Sequence, residues 1–186
     1  MSQDAFRLRP LAGPRAEPRP EVRAESRAEL RAAIEDVIYA GCLHLDELRF
    51  DAWLELAAPE LRYRITAYSP EIRKDMTWLE HDRSGLAALF ELLPRHHVDH
   101  AQWLRHAVLY HVVQEAHDRV RAVTSLAVHH TAVDVGEAHV EAGDTRIFVV
   151  GRYHDRLRLD RGRWLLAERN VRLETRQLGI GTHLIV

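Results

Sequence analysis

The fold is decided by the stretch TRIFVVGRYHDRLRLDRGRWLLAERNVRLE, residues 145–174. In its first half Ile147, Val149, Tyr153, Leu157 and Leu159 alternate with Arg146, Arg152, His154, Arg156 and Arg158. A period of two marks a strand with one face buried and the other in water. Asp160-Arg161-Gly162 then makes a tight connection, and a second strand returns from Arg163. A long antiparallel hairpin preceded by helical patterns predicts a curved sheet folded over a helix layer. Domains of that shape serve either as pocket enzymes or as assembly subunits, and the rest of the chain must decide between them.

Upstream, Ser26 followed by Glu29 fits a capping box, with Ser26 as the N-cap. Leu30, Ile34, Val37, Ile38, Cys42, Leu45 and Leu48 recur at helical spacing, which predicts a helix to about Leu48. Phe50–Leu56 reads as a short second helix stopped near Pro59. Leu61–Tyr68 alternates as a strand does and is ended by Ser69-Pro70; a third helix is expected around Ser84–Leu93, before Pro94. Arg105–Glu115 and Arg119–Thr131 read as further strands, with Val120, Ala122, Leu126 and Val128 on one face of the second. Residues 132–144 hold a short extension and a loop around Gly143. The order helix–helix–strand–helix–four strands describes an α+β domain, helices on one face of a mostly antiparallel sheet.

The 186 residues suffice for one domain with a proper core. We read residues 25–186 as that domain. Residues 1–24 carry Pro10, Pro14, Pro18 and Pro20 among Arg, Ala and Glu, which predicts a disordered or extended arm, free or draped over a partner subunit. A formal net charge of −2 gives no global electrostatic case for nucleic acid or an anionic membrane. Lys74 is the only lysine among 26 basic residues. Cys42 is the only cysteine, which rules out an internal disulfide and a cysteine-ligated cluster built by this chain alone. The opening residues lack the apolar core of a secretion signal and no apolar run reaches membrane-spanning length, so a cytoplasmic protein is expected.

Two stretches resemble a known family. Leu45-Asp46-Glu47-Leu48-Arg49-Phe50-Asp51-Ala52-Trp53-Leu54, followed by Leu61-Arg62-Tyr63-Arg64-Ile65, resembles the opening of the small (β) subunits of aromatic-ring-hydroxylating dioxygenases. Trp164, Arg169, Val171, Leu173 and Glu174 resemble the family's closing segment, and Leu178 with Thr182–Val186 its short apolar last strand. The chain departs from the family at Phe50, at Pro59-Glu60 and at Glu174, and Tyr68–Asp82 is unusually polar. The resemblance implies a cone-shaped fold like that of nuclear transport factor 2. It also implies a partner: a large (α) subunit that carries a Rieske [2Fe-2S] cluster and a mononuclear Fe(II), assembled as α3β3 with a trimer of β subunits. The small subunit then holds the assembly together, without catalytic residues or a cofactor of its own. Small subunits of related Rieske monooxygenases, such as those acting on alkanesulfonates, fit the same residues.

Thirteen histidines invite a metal reading. His96-His97-Val98-Asp99-His100 is the densest group, with His106 beyond it, and two histidines with a carboxylate suit a non-haem iron. Pro94 just upstream removes the assurance of helical spacing, and surface or structural histidines are the preferred reading. His129-His130, with Asp134, Glu137 and His139, is split because neighbours on a strand point to opposite faces. No metal site is therefore assigned. A Rieske centre needs two cysteines and two histidines, which places any such redox chemistry in another chain.

The rival reading is a pocket enzyme (isomerase or dehydratase) or a ligand-binding module on the same cone. Asp46, Asp51, Tyr63, His106 and Tyr153 are its candidate base and hydrogen-bonding groups. The plainer reading makes Asp46 and Asp51 flanks of a helix junction and packs the tyrosines. Arg152, Arg156, Arg158, Arg161 and Arg163 form a basic stretch near Tyr153 and Trp164, but Asp155, Asp160 and Glu168 interrupt it. A solvated outer face or subunit salt bridges are expected there, not a nucleic-acid surface. Met76-Thr77-Trp78-Leu79 stands as an apolar insert among charges, packed on its own domain or anchored in a partner.

Overall fold

In the computed structural model, whose described residues are 24–96, 101–133, 143–176 and 185–186, the concave face of a six-stranded sheet wraps a long helix. The elements run α1 (Ala24–Asp46), α2 (Phe50–Glu55), β1 (Ala57–Ser69), β2 (Lys74–Asp82), α3 (Arg83–His96), β3 (Gln102–Ala116), β4 (Arg119–Thr131), β5 (Thr145–Asp160) and β6 (Arg163–Leu173). The sheet order is β2-β1-β6-β5-β4-β3. Every neighbouring pair is antiparallel except β1 and β6, which run parallel. The α+β arrangement expected from the hairpin and the helical patterns, and the cone implied by the family resemblance, are the observed fold.

α1 lies in the concavity because Ile34, Ile38, Cys42 and Leu45 repeat at three- and four-residue intervals and are all buried. The sheet answers from its inner face with Tyr63 and Ile65 of β1, Val171 of β6, Tyr153 and Leu157 of β5, Leu126 of β4 and Leu109 of β3. Phe90 of α3 stacks on Phe50 and meets Trp53 edge-on, which seats α2 and α3 against β1. Burying a large apolar side chain stabilises a fold by about 1.5–3 kcal/mol, so this shared layer dominates its energetics.

Four readings of the sequence need correction. α1 already includes Ala24, two residues ahead of the expected Ser26 cap. It stops at Asp46 rather than Leu48. Leu48 takes a φ of 55°, and the Arg49 amide donates to the His44 carbonyl while the Leu48 amide donates to Leu45, a Schellman closure. α3 continues through Pro94 to His96 instead of ending before the proline. Lys74–Asp82 is a strand where the sequence pattern places no element, so the order is helix–helix–strand–strand–helix–four strands. β2 escaped the alternation test because it is an edge strand whose two faces are largely exposed.

A fifth difference is local. Ile147 was expected on the buried face with Val149, but it is 63% exposed. The ladder pairs Val128 with Val149 and then His129 with Ile147, so Phe148 is an extra residue that turns Ile147 outward. That is what a β-bulge does to the alternation. Residues 97–100, 134–142 and 177–184, and with them parts of both histidine groups and of the apolar tail, lie outside the described residues, as does the arm at 1–23.

Candidate functional site

The interior of the cone holds more polar chemistry than its alternation announces. On β5, Asp155 sits two residues from both Tyr153 and Leu157, so a period of two carries it to the buried face. On β6, Arg169 stands two residues before Val171 and points the same way. The two side chains meet with full burial: Arg169 Nε donates to Asp155 Oδ1 at 2.9 Å and Nη2 to Oδ2 at 2.8 Å. The guanidinium also lies over the Tyr153 ring, 3.9 Å from its centroid. Burial alone would favour a neutral Arg169, but the charge and hydrogen bonds of Asp155 hold its pKa above the ordinary arginine value.

A second ion pair closes the end of α1. Arg105 Nη1 donates to Asp46 Oδ1 at 2.5 Å and the Arg105 amide donates to Oδ2 at 3.0 Å. Arg105 Nη2 donates to the carbonyl of Ile185 at 2.6 Å. Tyr63 Oη donates to the carbonyl of Val186, also at 2.6 Å. Burial pushes the Tyr63 and Tyr153 hydroxyls and the Cys42 thiol above their ordinary pKa values. Tyr153 Oη, Thr124 Oγ1 and Arg169 Nη1 are buried without a partner among the described residues.

Of the five residues weighed as pocket groups, Asp46, Tyr63 and Tyr153 face the cone interior. Asp51 is exposed on α2, and His106 is exposed on the outer face of β3 with its ring 4.8 Å from that of His129. His130 turns the other way, against Trp103 at 4.8 Å, so the adjacent pair is split as its strand position predicts. Among the described residues no group of three or more His, Cys, Asp or Glu side chains could hold a metal ion. The interior carboxylates are both engaged by arginine. Asp46 accepts from the Arg105 guanidinium and amide, and Asp155 accepts twice from the Arg169 guanidinium. What the arrangement does chemically is hold α1, β3, β5 and β6 in one register.

Asp155 and Arg169 are the residues that reading by residue type passed over. By residue type Asp155 interrupts the basic stretch, whereas its parity with Tyr153 signals an inward side chain. Three arginines of the basic stretch are paired along the strand: Arg152 with Glu174 at 2.6 Å, Arg156 with Glu168 at 3.3 Å, and Arg158 with Glu60. A shallow groove of about 230 Å³ lies among Arg121, His154, Arg156, Glu168 and Arg172. Burial, and then the neighbouring Arg172, lower the pKa of His154.

Residues 26–170, which span α1 through most of β6, match the SnoaL-like domain. The chain belongs to the SnoaL-like family. Among its SnoaL-like relatives, the methanesulfonate monooxygenase hydroxylase subunit beta of Methylosulfonomonas methylovora is 39% identical over 152 residues, covering 81% of this chain and 84% of that protein. The 2-aminobenzenesulfonate 2,3-dioxygenase subunit beta of an Alcaligenes species is 28% identical over 82% of this chain and 96% of that protein. A solved chain from Novosphingobium aromaticivorans, named as the beta subunit of an aromatic-ring-hydroxylating dioxygenase, superposes with a TM-score of 0.70 at 23% identity, over 83% of this chain and 95% of that one. The resemblance to oxygenase small subunits carried by Leu45–Ile65 and Trp164–Glu174 is borne out by these relatives.

Proposed function

We propose that this chain is the non-catalytic small (β) subunit of a Rieske-type oxygenase, which holds large (α) subunits in an α3β3 complex in the cytoplasm. The 39% identity to a monooxygenase β subunit over most of both chains carries the reading. The interior supports it, because Asp46 and Asp155 are each held in an ion pair with an arginine that ties neighbouring elements together. The donor set supports it as well, since a lone buried cysteine cannot ligate a Rieske cluster. The cluster and the mononuclear Fe(II) then belong to the large subunit, and the small subunits associate among themselves as a trimer. Both curated relatives are named for sulfonate substrates, so the complex is assigned an organosulfonate substrate rather than an aromatic hydrocarbon.

Co-expression with the large subunit from the same operon tests this. Light scattering should give a complex with equal numbers of the two chains and threefold stoichiometry; supplied with NADH and an electron-transfer reductase, it should take up oxygen on methanesulfonate or 2-aminobenzenesulfonate and none on naphthalene. The small subunit alone should show no oxygen uptake. A chain that stays monomeric and never co-purifies with a large subunit would overturn the proposal.

A further inference from the structure

Tyr63 and Arg105 belong to β1 and β3, and β6, β5 and β4 lie between these strands in the sheet. Both nevertheless donate to one dipeptide: Tyr63 Oη to the Val186 carbonyl and Arg105 Nη2 to the Ile185 carbonyl, each at 2.6 Å. The sheet is curved, and the side chains of Tyr63 and Arg105 reach in from these separated strands to converge on the dipeptide. Ile185 and Val186 are themselves buried and belong to the same apolar core as Ile34, Leu45 and Val149. Arg105 ties the same point to Asp46 at the end of α1. Without the dipeptide, the Tyr63 hydroxyl and one arm of Arg105 would lose their acceptors, and a buried donor left unmade is costly.

We propose that the mouth of the cone is a peptide-capture site whose occupant is this chain's own Ile185–Val186 segment. The ligand chemistry is a short stretch with two branched apolar side chains and two consecutive main-chain oxygens placed to accept. Tyr63 and Arg105 read these oxygens, and the core reads the side chains. Bound, the segment is a strap that locks α1 beneath the sheet; released, it opens the interior beside Cys42.

Cys42 is the only thiol of the chain and is buried on α1 one turn before Asp46, so its labelling by an aromatic disulfide reports the opening. In the full chain it should react slowly. Tyr63→Phe removes a single hydroxyl and should raise the labelling rate about fivefold, the factor equivalent to one typical net hydrogen bond. A chain ending at Leu184 should label faster still, and the free peptide THLIV in excess should return it to slow labelling. A peptide with both branched residues changed to aspartate should not. Labelling unchanged in both variants while circular dichroism shows native folds would overturn the proposal. So would protection that appears only as protein concentration rises, since that would seat the segment of a neighbouring copy. If the shortened chain fails to fold, the Tyr63→Phe rate decides alone.

Discussion

Arg169 and Asp155 are the residues on which the interior turns. Each is fully buried and each is the other's charge partner. Removing one leaves the other uncompensated, a change that costs about 3–5 kcal/mol in comparable buried pairs. Arg169→Met should therefore lower stability by about that much in urea denaturation. Adding Asp155→Leu should recover part of the loss, because an apolar pair of similar volume needs no compensation. A double variant as unstable as the single one would show that the pair acts otherwise. His154 supplies a pH dependence of known sign. Its folded pKa lies below the ordinary value of 6.5, from burial first and Arg172 next, so the unfolded chain takes the proton more readily. The contribution is fully present above the unfolded value and is lost as pH falls below it. His154→Gln should thus lose less stability between pH 7.5 and 5.5 than the parent, and an equal loss would remove His154 from the effect. The buried pair could be traced in the sequence by parity but not by residue type. Asp155 is in phase with Tyr153, yet an ionic residue in an apolar phase is legible only when its partner is known. That partner, Arg169, stands directly opposite Asp155 on β6, but a bulge between Arg156 and Leu157 shifts the register counted back from the turn.

At the scale of single elements, the periodic ones were legible and the irregular ones were not. α1 announced itself through Ile34, Ile38, Cys42 and Leu45, and β4 through Val120, Ala122, Leu126 and Val128, because each buries one face only. β2 has no buried face to impose a period, and Met76 and Trp78 stay exposed at the sheet edge. The end of α1 was misplaced because Leu48 occupies the left-handed position that glycine usually fills. That position offers a test. Leu48 is about half exposed, so replacing it by glycine removes little packing while relieving a conformation that costs an L-residue roughly 1–2 kcal/mol. Leu48→Gly should raise the thermal midpoint, and a lower midpoint would show that its side chain packs more than its exposure suggests. Gly151 behaves in the opposite way. A Cβ there would come within 2.5 Å of the Arg172 carbonyl on β6, where only backbone could move aside. Gly151→Ala should destabilise by about 1–3 kcal/mol, the usual cost of overpacking, and should loosen the β5–β6 pairing in amide exchange.

For the whole molecule, the balance of charge on the outer sheet face matters more than its total. The arginines of β5 are answered by Glu60, Glu168 and Glu174 from β1, β6 and the residue after it. Exposed pairs of this kind contribute about 0–1 kcal/mol each. Raising the salt from about 0.1 M to 1 M shortens the screening length from about 10 Å to about 3 Å, and the thermal midpoint of the small subunit should move by only a few degrees. A large fall would mean that the face acts as a cooperative network.

The parallel pairing of β1 with β6 also governs when the molecule can form. Thr66 on β1 hydrogen-bonds Asn170 on β6, 104 residues further along the chain. Strands β3 to β6 can zip as successive hairpins as they leave the ribosome, but β1 and β2, with α2 and α3 packed beside them, have no sheet to join until β6 exists. Long-range pairing of this kind slows folding, because the loop must close before its contacts reward it. The first half of the polypeptide thus waits, with Trp53, Tyr63 and Phe90 uncovered, for the last strand to be made. A ribosome-stalled chain ending before Arg163 should accordingly expose these rings to protease and bind a chaperone, whereas one carrying β6 beyond the exit tunnel should not.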